Sequence, residues 1–102
     1  ANSETERKVG YLVACNQTMS RHGNRRFHDM VCQCMDERDL HAIIGEMHLD
    51  LVNLAEEGPD HSDEKIERSF PIEETDGTGM VIVSASLIGR TGMALFVAKE
   101  FD

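Results

Sequence analysis

Residues 80–101 read MVIVSASLIGRTGMALFVAKEF, and the fold turns on this stretch. Met80 to Ile88 is rich in β-branched residues and reads as a strand. Gly89-Arg90-Thr91-Gly92 sets a glycine at each end of a short loop, where a hairpin needs positive φ. Met93 to Phe101 reads as the returning strand. Setting Ile88 opposite Met93 fixes the register. One face then carries Met80, Ile82, Ser84, Ser86 and Ile88 with Met93, Leu95, Val97, Lys99 and Phe101. The other carries Val81, Val83, Ala85 and Leu87 with Ala94, Phe96, Ala98 and Glu100.

Both faces are mainly apolar, whereas an antiparallel sheet with one solvated face alternates apolar and polar residues. Helices from the rest of the chain can cover one face. The second also needs a cover, because large bare apolar patches are rare on soluble monomers. A second copy of the chain is the most economical cover, two-fold homodimers being the commonest oligomers. The alternative is that the helical half of the chain wraps both faces. Burying about 500 Å² more apolar surface per subunit contributes on the order of 12 kcal/mol before association entropy is subtracted. The expected interface residues are Val81, Val83, Leu87 and Phe96 from one face and Met80, Ile82, Leu95 and Val97 from the other.

Upstream, two apolar stripes at helical spacing account for the cover. Phe27, Met30, Val31, Cys34 and Met35 follow Gly23-Asn24, and Asn24 is a good helix cap. Leu40, Ile44, Met47, Leu51 and Leu54 continue in steps of four and three, widened by Ile43. At about 100° per residue, Leu40 lies roughly 140° around the axis from Phe27, so the stripes are not one face. Either the helix breaks within Asp36-Glu37-Arg38-Asp39, with Asp36 or Asp39 as the new cap, or one long helix buries two faces. Gly58-Pro59 closes the second segment. Lys8 to Asn16 reads as a first strand, with a helix as the alternative and Gly10 weakening either. Ile66 to Glu73 reads as another strand, and Pro71 confines it to an edge or a bulged position. Thr75-Asp76-Gly77-Thr78-Gly79 is turn chemistry.

The expectation is therefore an α+β domain over residues 8–102, with residues 1–7 as a flexible arm. A small antiparallel sheet of about three to four strands packs against one long or two consecutive helices, in the order β-α(α)-β-β-β. A length of 102 residues suits one domain with one core. No apolar run is long enough to span a membrane, and residues 1–8 carry no apolar signal core, which makes the cytoplasm the default location.

Charge and reactive side chains narrow the chemistry. The net charge is −9, and the segment Glu56–Asp76 holds nine acids against Lys65 and Arg68, or −7. That balance disfavours extended nucleic acid as a partner. A local exception is Arg21, Arg25, Arg26 and His28, where arginines in a first helical turn oppose the helix dipole and suit an anion or an acidic partner. Solubilising loop arginines are the ordinary alternative. The three cysteines, Cys15, Cys32 and Cys34, are too few and unevenly spaced for a disulfide framework and read as reduced thiols. His28 and Cys32 stand at i, i+4, and His41 and His48 share a flank of the second helical segment, a weak metal-ligand pattern. Histidines partly exposed beside an apolar stripe are the ordinary reading; a further alternative is that His41 and His48 tune an interface near neutral pH. Asp60, Asp63, Glu64, Glu73, Glu74 and Asp76 do not match a calcium loop. No nucleophile elbow, phosphate-binding loop or dinucleotide fingerprint occurs.

The expected function is thus non-enzymatic and without a cofactor: a small acidic protein–protein interaction module, homo-oligomeric, serving as a regulator, inhibitor or assembly factor, with a partner that is itself basic. The alternatives are an anion or nucleotide sensor built on Arg21, Arg25 and Arg26, and a metal-binding protein built on His28 and Cys32.

Overall fold

A computed structural model of the chain describes residues 6–15, 18–19, 24–58, 64–75, 77–89 and 92–101. Its elements are β1 (Glu6–Cys15), β2 (Thr18–Met19), α1 (Arg25–Val31), α2 (Glu37–Glu56), β3 (Lys65–Pro71), β4 (Met80–Ile88) and β5 (Met93–Phe101). A 3-10 turn, Glu73–Thr75, joins β3 to β4. Strand order across the sheet is β2-β1-β5-β4-β3, with every neighbouring pair antiparallel. The α+β class and the order β-α-α-β-β-β agree with the sequence, and β2, only two residues long, is an addition to it.

The hairpin takes the register set by its loop. Ile88 pairs with Met93 and Met80 with Phe101. Gly89 (φ 60°) and Gly92 (φ 77°) hold the positive-φ corners that other residues adopt at a cost. β1 then adds to the far side of β5, and Tyr11 pairs with Val97. It begins at Glu6, opposite Phe101, two residues inside the stretch expected to be an arm. Pro71 closes β3 at the sheet edge, as its missing N–H requires.

The helical region breaks in two, settling the choice left open by the stripes. The Asn24 side chain accepts from the Arg26 N–H at 2.7 Å and starts α1. The chain turns over Cys32–Met35, and the Asp36 carboxylate accepts from the Asp39 N–H at 2.8 Å to start α2. The break lets each stripe face the same way. Phe27, Met30 and Val31 from α1 and Leu40, Ile44, Met47 and Leu51 from α2 are all buried in one core. The sheet side of that core is Leu12, Val81, Val83, Ala85, Ala94, Phe96 and Ala98. Val81, Val83 and Phe96, expected at an interface, are therefore core residues, and Leu87 packs against the same core, because both helices lie on their side of the sheet.

Two contacts set how the helices sit. Gly10 lies under the first turn of α1, where an added Cβ would fall 2.7 Å from Phe27 Cα and 2.8 Å from the Arg26 carbonyl carbon, and closer still to the Phe27 nitrogen. The Asn24 N–H donates to the Tyr11 carbonyl at 2.9 Å and ties the same turn to β1. On the other side, Arg68 of β3 reaches α2, with Nη1 2.7 Å from Glu46 Oε1 and Nη2 3.0 Å from Asp50 Oδ2. These side chains are partly exposed, so the clamp contributes little beyond register. Among the described residues, no helix is long and apolar enough to cross a membrane.

Gly10→Ala is expected to lower unfolding free energy by roughly 3 kcal/mol, because the new methyl meets backbone that can only move with α1. Urea denaturation measures it, and a loss below about 0.5 kcal/mol would show that α1 is not seated on Gly10.

Candidate protein interface

With both helices on one side, the opposite side of the sheet has no layer over it among the described residues. Its residues follow from strand alternation and register. Three rows cross it from β1 to β3. The first is Val9, Lys99, Ile82 and Ser69. The second is Tyr11, Val97, Ser84 and Glu67, and the third contains Leu95, Ser86 and Lys65. Met93 and Ile88 lie beyond one end, and Phe101, Met80 and Pro71 beyond the other. Val9 is 46% exposed and Tyr11 48%, with Met80 and Ile88 close to them; Ile82, Leu95, Val97 and Phe101 are half-buried by their strand neighbours alone.

Polarity is graded across this face. The β1 and β5 columns bring Val9, Tyr11, Leu95, Val97 and Phe101, with Lys99 the charged side chain described among them. The β4 column alternates Ile82 with Ser84 and Ser86, and the β3 column is Lys65, Glu67 and Ser69. The Lys65 and Glu67 side chains pair at 3.5 Å, which leaves the edge wet and locally neutral. Met80, Ile82, Leu95 and Val97, half of the interface expected from the hairpin, remain on this face. Sequence reading missed Val9 and Tyr11. Their alternation with Gly10 and Leu12 marks them as the outward set, but only the pairing of β1 with β5 places them beside Lys99 and Val97.

The other candidate residues do not converge. Arg21 lies outside the described residues. Arg25 and Arg26 are exposed on α1, whose first free amides are already used: the Arg26 N–H by the Asn24 side chain and the Phe27 N–H by the Asn24 carbonyl. His28 is half-buried, its ring edge-on to Phe27 with centroids 6.1 Å apart. His41 is exposed, with Nε2 3.9 Å from Glu37 Oε1. His48 departs from the expected partial exposure: it is 1% exposed, donates from Nε2 to the Gly92 carbonyl at 2.6 Å, and sets its ring edge-on to Phe96. It is a core residue that ties α2 to the hairpin loop, out of reach of both a metal and an interface. Among the described residues no three His, Cys, Asp or Glu side chains gather as a metal site. Asp60, His61, Asp63 and Asp76 lie outside the described residues.

Cys32 and Cys34 are free thiols in the turn between the helices. Burial pushes the Cys32 thiol up, helped by the carboxylates of Glu37, Asp29 and Asp36. Burial also raises Cys34, with Glu100 and Cys32 adding to it against an opposing backbone hydrogen bond from Val81. Raised values keep both protonated near neutrality, the reverse of what a nucleophilic or metal-binding cysteine requires. Compared with models of known protein families, with characterised proteins and with solved structures, the chain matches none.

In a Cys15→Ser background, the two thiols are expected to react with iodoacetamide more slowly at pH 8 than free cysteine. The rate should still be rising at pH values where that of free cysteine has levelled off. Alkylation as fast as free cysteine at pH 7 would contradict the protonated state.

Proposed function

We propose that this chain is a small acidic protein–protein interaction module that self-associates through the open face of its sheet. The observation that carries the reading is a helix-free face on which Val9, Tyr11, Ile82, Leu95, Val97 and Phe101 lie together. Such a surface is stable in water when another protein covers it. The acid-rich exterior outside this face, on a chain of net charge −9, favours a basic protein as a further partner and disfavours nucleic acid. In that role the module acts as a regulator, inhibitor or assembly factor, holding a partner rather than transforming a substrate. Its reduced thiols suit the cytoplasm.

Sedimentation equilibrium tests the reading. The wild-type chain is expected to run above monomer mass at micromolar concentration. Leu95→Glu puts a carboxylate that must be desolvated into the middle of the face and leaves the helix side untouched, and it is expected to weaken association by about 100-fold or more. Its thermal unfolding should stay close to wild type once compared at monomer concentrations. A wild-type chain that sediments as a monomer up to millimolar concentration would remove the reading.

A further inference from the structure

The open face has relief as well as polarity. In its two middle rows Val97 and Leu95 stand side by side on β5, and Ser84 and Ser86 stand next to them on β4. A ridge of branched side chains thus runs beside a strip lower by one or two methyl groups. Beyond the strip, β3 is polar; beyond the ridge, Tyr11 and Val9 continue the apolar half.

We infer that the occupant of this face is a second copy of the chain, docked about a two-fold axis running along the strands between β4 and β5, so that the Leu95–Val97 ridge of each copy lies over the Ser84–Ser86 strip of the other. The inference rests on the reading of this face as a self-association surface and adds the symmetry axis and the register.

Three observations favour it. The first is area. Strands of nine residues at about 3.3 Å each, four abreast at about 4.8 Å, make a face of roughly 600 Å². Two such faces total about 1,200 Å², the lower end of stable interfaces, so the whole face must be engaged. The second is charge. Lys65, Lys99 and Glu67 leave the described side chains of the face at +1 (two lysines less one glutamate), against −9 for the whole chain. Two copies therefore meet here with little of the repulsion carried by the rest of their surface, and the face offers no field to select a strongly charged stranger.

The third is shape. A two-fold axis across the strands would stack β5 on β5 and β4 on β4, crowding branched side chains and leaving voids over the serines. The axis along the strands sets Val97 over Ser84 and Leu95 over Ser86, in the aligned packing that sheets prefer. It also brings Tyr11 over Glu67 of the second copy, at the rim, where a phenol O–H can donate to a carboxylate. Lys99, the charge within the apolar half, then has Glu67 of the second copy in the neighbouring column. Its four-carbon stem lies along apolar surface on the way there.

Two variants separate this register from association in general. Ser84→Val sets valine against valine at both symmetry-related contacts. Val97→Ser sets serine against serine. Mixed together, they restore one valine and one serine at each contact. Native mass spectrometry of an equimolar mixture is expected to show the heterodimer above its statistical share of about one half, held about tenfold tighter than the weaker homodimer. A heterodimer that forms where neither variant pairs with itself supports the register equally. A heterodimer at or below the statistical share, or no dimer in the mixture, overturns the register while wild-type dimers still broken by Leu95→Glu leave the interface standing. A wild-type monomer, or a dimer indifferent to Leu95→Glu, overturns both.

Discussion

Two helices with one apolar stripe each can cover one face of a sheet, not two. That constraint organises the structure. The break at Cys32–Met35 turns the stripe of α2 into line with that of α1, and both settle on Leu12, Val83, Phe96 and their neighbours. Gly10 admits the first turn of α1 against the backbone of β1, and His48 draws α2 onto the hairpin loop through the Gly92 carbonyl. Each of these contacts pulls helical surface toward one side. The other side keeps Val9, Tyr11, Leu95 and Val97 with no helix over them among the described residues.

What was legible in the sequence was local or periodic. The Gly89–Gly92 loop set the hairpin register, Asn24 marked one helix start, Asp36 and Asp39 marked where a second could begin, and Pro71 pointed to an edge or a bulge. These signals act through a residue's own φ or through groups a few positions away. Features that depend on distant segments were hidden. Nothing local says that β1 pairs with β5, so Val9 and Tyr11 could not be added to the open face. Gly10 looks like a weakness in a strand until a helix backbone lies over it. His48 sits within an apolar stripe of a helix, but its burial depends on a carbonyl 44 residues away. The hairpin pattern showed two apolar sides and could not say which of them the helices would take.

The polar candidates from the sequence are spread apart by the fold. Arg25 and Arg26 lie at a short helix whose first amides are already bonded, His41 faces outward beside Glu37, and Cys32 and Cys34 are held protonated by burial and nearby carboxylates. Among the described residues, the chemistry that remains concentrated in one place is mainly apolar and graded, with serines beside branched side chains, Lys99 within the apolar half and the Lys65–Glu67 pair at one edge. Such an arrangement suits recognition of another protein surface.

The most direct measurement is solvent access to that face. Protein labelled at its methyl groups, with a soluble gadolinium chelate added, reports how closely water approaches Val9, Ile82, Leu95 and Val97. At high protein concentration these methyls should relax as slowly as those of Val83 and Ile44 in the core, and they should become exposed on dilution. Methyls that relax rapidly at every concentration would mean that the face is open water-facing surface, and the interface described above does not exist.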